Sequence, residues 1–284
     1  MTITRIGVVG CGLMGAGITQ VLAAAGYPTR VCEAAEAPLQ RGLARIHDGY
    51  ARAVRKGTMT QADADAALAR ITPSLDRRDL ADCDLVIEAI AEDLTLKTAL
   101  FAELDAICGP HAILASNTSS IPIHQLAQAT TRPDRVAGFH FFNPVPVMQL
   151  IELVSTPFTS SETQQALHAV GIKLAKTVVD VQDVSGFIVN RLLIPYLFEA
   201  VRLLEQGVAS RDAIDTAMKL GCGYPMGPLL LLDVIGIDTA VAIGDVLARE
   251  FNDSHLAPPQ RLREMVAQGL LGRKSGQGFY TTTV

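Results

Sequence analysis

The 284-residue chain lacks any long run of lysine and arginine, and its formal net charge is −5. That balance makes nucleic acid and anionic membrane surfaces poor partners. Cys-x-x-Cys and Cys/His ligand spacings are missing too: five cysteines (Cys11, Cys32, Cys83, Cys108, Cys222) are scattered and odd in number. Such usage points away from a zinc or other metal site and toward reduced thiols in a cytoplasmic compartment. Charge is absent from Ile6 to Thr29, yet six glycines interrupt that stretch, Pro28 lies near its end, and no basic n-region precedes it. Neither a membrane span nor a signal peptide is expected there. With 49% apolar and 19% charged residues, the composition is that of a globular protein of one or two domains.

The apolar run Ile6-Gly7-Val8-Val9 ends in Gly10-Cys11-Gly12-Leu13-Met14-Gly15, and small helix formers follow from Ala16 to Ala25. Strand, glycine turn and helix in this order form a dinucleotide-binding signal. Gly10 permits the tight turn, Gly12 lets a pyrophosphate approach the backbone, and Gly15 lets the helix pack close to the sheet. The free N–H groups of the helix N-terminus then face the phosphates. A second strand, Thr29 to Cys32, leads into Glu33, 18 residues past Gly15. An acid there accepts hydrogen bonds from ribose hydroxyls and repels a 2′-phosphate, which favours NAD over NADP. From Pro38 to Arg70 the pattern is helical, broken at Gly57-Thr58, with Arg41, Arg45, Arg52, Arg55 and Lys56 on it. Either a solvated face or a basic patch for a phosphorylated substrate accounts for those charges.

A strand over Asp84–Ile90, a helix from Leu94 to about Cys108 and a strand over Ala112–Ala115 follow, the last emptying into Ser116-Asn117-Thr118-Ser119-Ser120. Polar residues beyond a strand's carboxyl end sit where ligands of open α/β sheets bind, although turn chemistry gives the same composition. The next strand carries His140, and Glu152 lies among Leu150, Ile151, Leu153 and Val154 on the one after. A carboxylate in such company needs a partner, and the turn Asn143-Pro144-Val145-Pro146 can fold one run back beside the other. Taken alone, the stretch reads equally as a core ion pair or as a general base with its orienting acid. Its place in a cofactor-binding sheet, next to the Ser119 loop, favours the second. A helix from about Ser161 to Lys176 and a strand over Thr177–Val181 close a first domain, 1–184.

The second domain, 185–284, reads as helical throughout. Its helices are expected over Phe187–Gln206 with a bend at Pro195, then Ser210–Leu220, Pro228–Glu250 and Ala257–Gly269. Asn190, near the start of the first, carries an amide among Phe187, Ile188, Val189, Leu192 and Leu193 and so wants a partner. Glycine-rich turns at 221–228 and 272–280 separate or follow these helices, and Lys274 in the second is placed to reach a ligand.

Four segments resemble the L-3-hydroxyacyl-CoA dehydrogenase family, especially its short bacterial 3-hydroxybutyryl-CoA members. They are Ser-Asn-Thr-Ser-Ser at 116–120, Gly-Phe-His-Phe-Phe-Asn-Pro-Val-Pro-Val-Met at 138–148, Gly-Phe-Ile-Val-Asn-Arg at 186–191 and Gly-Tyr-Pro-Met-Gly-Pro at 223–228. The resemblance covers nearly the whole chain. It implies an α/β Rossmann-type NAD domain followed by a smaller all-helical C-terminal domain that forms a homodimer. It also implies NAD-dependent interconversion of (S)-3-hydroxyacyl-CoA, short-chain in the first instance, and 3-oxoacyl-CoA. Carried over, the family's base falls on His140, its orienting acid on Glu152, its substrate serine on Ser119 and its asparagine on Asn190. The implied NAD contacts are Glu92, Lys97, Ser119, Asn143 and Lys274, with Leu13 and Met14 in the glycine turn and the acid Glu33, where many relatives carry Asp. Arg52 and Lys56 are the candidates for gripping CoA, and Ser185 stands where relatives often have proline. Alternatives left open are a same-fold dehydrogenase of 3-hydroxyadipyl-CoA or of a free sugar acid, and a non-catalytic NADH-binding protein.

Overall fold

Short apolar runs alternating with helix-forming stretches build a parallel sheet at the start of the chain. The computed structural model describes residues 1–281, so the last three residues of the expected second domain lie outside the described residues. The chain divides into two units, Met1–Val184 and Ser185–Val284.

The first unit runs β1 (Ile6–Val9), α1 (Leu13–Ala24), β2 (Thr29–Cys32), α2 (Glu36–Arg55), α3 (Gln61–Leu68), β3 (Ile71–Ser74), β4 (Leu85–Glu88) and α4 (Leu94–Ile107). It continues with β5 (Ile113–Ser116), α5 (Ile123–Ala127), β6 (Val136–Phe141), β7 (Leu150–Ser155), α6 (Ser161–Lys173) and β8 (Thr177–Gln182). The sheet order is β3-β2-β1-β4-β5-β6-β7-β8. Its first six strands follow the doubly wound order, with the topological switch between β1 and β4, where such sheets bind dinucleotides. All pairs are parallel except β6 with β7. The carboxyl ends of β1, β2, β4, β5 and β6 therefore share one edge.

One face of the sheet buries Ile6, Val8, Ile87, Ala115, Phe139, Phe141, Ile151 and Leu153 in a cluster with Ile18 and Leu22 of α1 and Leu167 and Val170 of α6. Because strand side chains alternate, Phe139 and Phe141 point into this core while His140 between them points to the opposite face. β3 has no counterpart in the sequence reading. Ile71-Thr72-Pro73-Ser74 contains no apolar run, and Pro73 is tolerated because β3 is the sheet's edge.

The second unit contains α7 (Val189–Glu205), α8 (Arg211–Cys222), α9 (Pro228–Ile235), α10 (Ile237–Phe251) and α11 (Gln260–Ala267) around Phe198, Leu229, Leu232, Ile237 and Leu247. The single helix expected over Pro228–Glu250 is in fact two, because Gly236 takes φ 100° and ends α9. Buried Asp215 caps α9 by accepting from the backbone N–H of Leu229 (2.8 Å) and Leu230 (3.0 Å). A Cβ on Gly227 would stand 2.3 Å from the Asp215 side chain, which accounts for the glycine before Pro228.

Candidate active site

The glycine turn fits a pyrophosphate. Gly10 has φ 96°, and a Cβ there would lie 2.5 Å from the Ala89 carbonyl oxygen. On Gly15 a Cβ would come within 1.8 Å of the Gly10 carbonyl oxygen, so helix and turn can meet only without one. Around Gly12 there is open space on the side where a Cβ would point, which leaves the backbone approachable at the N-terminus of α1. Leu13 is exposed and Met14 half-buried beside it. At the end of β2, the Glu33 carboxylate accepts from the backbone N–H of Cys11 (2.8 Å) and of Ala34 (2.8 Å). The acid is thus braced against the turn itself. Burial, reinforced by Glu33 and offset by Arg45, pushes the Cys11 thiol up to about 11, which leaves it an inert lining group.

Beyond β4 and β5 lies a charged network whose centre, Glu88 and Lys97, is buried and whose outer member, Glu92, reaches the surface. Glu88 and Ser116, opposite each other in register, are joined by a hydrogen bond from Ser116 Oγ to Glu88 Oε2 (2.6 Å). Glu88 Oε1 accepts from the Ile90 N–H (2.7 Å) and from Lys97 Nζ (2.5 Å). Lys97 is only 1% exposed and also reaches Glu92 Oε2 at 3.2 Å. Glu92 Oε1 in turn accepts from Thr118 Oγ1, Ser120 Oγ (2.9 Å) and the Ser119 N–H (3.3 Å). The Ser119 loop is therefore held from beneath by one carboxylate, whose orientation is fixed by a buried ammonium. Burial works against the charge on Glu92, but Lys97, Thr118 and Ser120 outweigh it and hold the carboxyl below the ordinary range.

His140 and Glu152 face each other across β6 and β7, with Nδ1 2.7 Å from Oε2. Both are buried, at 6% and 1% exposure. A carboxylate only accepts, so the neutral imidazole carries its hydrogen on Nδ1, which makes Nε2 the basic nitrogen of the ring. The ring packs on Phe142, centroids 4.5 Å apart. Asn117 Oδ1 accepts from the Phe141 N–H (2.9 Å), which ties the serine-bearing loop to the end of the histidine strand. Asn143 is exposed on the turn that follows, before a cis bond to Pro144. That turn is gripped by Lys176, whose ammonium donates to the carbonyls of Val145 (2.8 Å) and Met148 (2.6 Å).

Comparison with known proteins decides the family. Residues 5–184 match the model of the 3-hydroxyacyl-CoA dehydrogenase NAD-binding domain, and residues 186–282 that of the C-terminal domain. The chain belongs to the 3-hydroxyacyl-CoA dehydrogenase family. It is 48% identical to a 3-hydroxybutyryl-CoA dehydrogenase of Mycobacterium tuberculosis, over 98% of each chain. To the mitochondrial hydroxyacyl-coenzyme A dehydrogenase of Homo sapiens it is 45% identical, covering 98% of this chain and 91% of the relative. Among solved structures, M. tuberculosis FadB2 superposes with a TM-score of 0.98 at 47% identity, each chain fully covered. The (S)-3-hydroxybutyryl-CoA dehydrogenase PaaH1 of Ralstonia eutropha gives 0.94 at 44%, again with full coverage. This family member is accordingly an NAD-dependent oxidoreductase, and its glycine turn and Glu33 fit that cofactor. Among the described residues no three His, Cys, Asp or Glu side chains are grouped to hold a metal ion, and no helix is long and apolar enough to cross a membrane.

The remaining candidate residues of the dehydrogenase are placed as follows. Asn190 lies half-buried in the first turn of α7. Lys274 lies in a short turn after α11, its ammonium 2.5 Å from Asp238 at the start of α10. Arg52 and Lys56 are exposed at the C-terminal end of α2. Four groups that shape the site escaped the sequence reading as site residues: Glu88, Ser116, Asn117 and Lys176. Asn117 and Ser116 belong to a recognised polar motif, and Glu88 is a carboxylate ending an apolar strand, the same signal that exposed Glu152.

Proposed function

We propose that this dehydrogenase interconverts (S)-3-hydroxyacyl-CoA and 3-oxoacyl-CoA, with the four-carbon 3-hydroxybutyryl chain as its preferred acyl group. The reading is carried by the His140–Glu152 pair, buried at the carboxyl-end edge of an NAD sheet with Nδ1 held 2.7 Å from Oε2. Bound NAD supplies the acceptor for the hydride leaving C3. His140 Nε2 takes the hydroxyl proton as the carbonyl forms, so negative charge does not build up on oxygen. Glu152 stabilises the imidazolium and keeps the tautomer that leaves Nε2 basic. Ser119 and Asn190 hydrogen-bond the substrate oxygens and orient C3. Glu92, Ser119, Asn143 and Lys274 contact the cofactor, and Arg52 and Lys56 take the CoA phosphates; Lys97, expected as a direct contact, is only 1% exposed and acts through Glu92 instead. A homodimer and a cytoplasmic location belong to the same proposal, the latter supported by five free thiols.

The named activities of the relatives support the substrate class. NADH absorbance, followed with acetoacetyl-CoA, longer 3-oxoacyl-CoAs, 3-oxoadipyl-CoA and free 3-oxo acids, tests it. The highest kcat/KM is expected with acetoacetyl-CoA. A preference for the dicarboxylic thioester or a free acid would replace the substrate assignment, and turnover of none would return the chain to an NADH-binding role.

A further inference from the structure

Glu33 shares a cavity of about 600 Å³ with Ala34, Asp76, Arg77, Arg78 and Glu103. The cavity lies beyond the carboxyl ends of β2 and β3: Cys32 and Ser74 are opposite in register, and the Glu33 N–H donates to the Ser74 carbonyl at 3.1 Å. Two arginines in the same cavity as the acid that repels a 2′-phosphate are an unexpected combination, because an arginine near that position is the usual means of accepting one.

Both guanidinium groups are presently occupied by carboxylates at the surface. Arg77 pairs with Glu103, and Arg78 lies with Nη2 2.6 Å from Asp76 Oδ2. Arg78 is 84% exposed, and Arg77, Asp76 and Glu103 are all partly exposed. Exposed pairs of this kind contribute little, so exchanging a carboxylate for a phosphate costs little. Phosphate, with more charge and three acceptor oxygens, suits the planar guanidinium fork better than a single carboxylate does. Glu33 differs from the other acids: two backbone N–H groups fix its carboxylate, so it cannot swing away from an incoming anion. The shared lining of the cavity is what brings Glu33, Asp76 and Arg77 together.

We propose that Arg77 and Arg78 form a latent 2′-phosphate subsite, and that Glu33 is the chief of three acids, with Asp76 and Glu103, that keep the dehydrogenase on NAD. The inference rests on the adenosine ribose docking beside Glu33. It also assigns Asp76 and Glu103 a role, as internal anions that fill the subsite while the cofactor lacks its phosphate.

Titration of the full-length protein with NADH and with NADPH, by fluorescence or calorimetry, tests this without turnover. Wild type is expected to bind NADH and to disfavour NADPH. Glu33→Gln, which keeps an acceptor oxygen for the turn, is expected to gain about tenfold in NADPH affinity, roughly the worth of one charge-assisted contact. That gain should shrink with added salt. Adding Arg77→Met and Arg78→Met should erase it while the Kd for NADH moves by less than about threefold, as expected of exposed charges away from the contact. Asp76→Asn with Glu103→Gln, which leaves Glu33 in place, should also narrow the NADH preference by freeing both arginines, and it decides the matter if the Glu33 variant does not fold. An NADPH gain that survives loss of the arginines, or no gain in a Glu33 variant that still binds NADH, would overturn the subsite. Failure of the wild type to bind NADH at all would instead remove the cofactor reading beneath it.

Discussion

His140 Nδ1 stands 2.7 Å from Glu152 Oε2 across the one antiparallel pair of an otherwise parallel sheet. A parallel neighbour would need a crossover of a dozen or more residues. The eight-residue connection at 142–149 instead folds β7 back beside β6 and sets acid and imidazole in direct register. His140→Ala should lower kcat by roughly 10²–10⁴, the contribution of a positioned general base. The Kd for NADH should hardly change. Steady-state kinetics beside an NADH titration check this, and a loss much smaller than that range would remove His140 from the base role.

Glu152→Gln tests the orienting acid separately. The amide can donate to Nδ1 as well as accept from it, so the productive tautomer is no longer enforced. kcat should fall while KM for the acyl-CoA stays nearly constant, because the interaction matters only as the imidazolium forms. Combined with His140→Ala, the second substitution should cost almost nothing more, since the acid acts through the histidine. Additive losses would show that Glu152 works through something else.

Lys97→Met should be a stability mutation first. It leaves Glu88 and Glu92 without the ammonium both share, and breaking a buried pair from one side costs about 3–5 kcal/mol. Urea unfolding should show the loss. Glu88→Gln in the Lys97→Met background should restore part of it by removing the fully buried orphaned carboxylate.

Much of this architecture was legible in the residues. β1 ends where its apolar run meets the glycine turn, as a fully buried parallel strand requires, and β2 ends at Glu33. Glu152 announced its need of a partner by its apolar neighbours. β3 was not legible, since an edge strand of four mixed residues carries no pattern, and the α9–α10 break was hidden because Ile235-Gly236-Ile237 keeps an unbroken apolar run. Glu88 and Ser116 depend on the β4–β5 register, which a linear sequence does not display. Lys176 binds carbonyls, and backbone acceptors leave no mark in side-chain spacing.

Glu92 predicts an acid-side pH dependence. Its carboxyl is held below the ordinary range in the folded chain. A depressed value contributes stability that is fully present above the unfolded carboxylate range and is lost as pH falls through the folded value. The Tm advantage of wild type over Glu92→Gln should therefore be greatest near neutrality and shrink as pH drops below about 4. A difference independent of pH would mean that the hydrogen bonds to Thr118 and Ser120, not the charge, hold the Ser119 loop.

Lys176 offers a test of how the Asn143 turn is held. Its side chain is 8% exposed, burial pushes its pKa below the ordinary lysine value, and its ammonium donates to the carbonyls of Val145 and Met148. Val145 is itself buried against α1, where a Cβ on Gly17 would come within 2.9 Å of it, so the turn is pinned at its middle from two sides. Lys176→Met keeps the length and the apolar stem but removes both donors, each worth about 1.5–3 kcal/mol for a charged group before the saved desolvation is counted. Because burying the ammonium is itself costly, Tm should fall only modestly. The turn, freed at one of its two anchors, should present Asn143 less well, so the Kd for NADH should rise several-fold, about 1 kcal/mol. Lys176→Arg, which retains a charged donor, should recover part of the affinity if the buried space admits the larger head. A fall in Tm with no change in NADH binding would separate the turn's stability from cofactor recognition and leave Asn143 without a role that Lys176 controls.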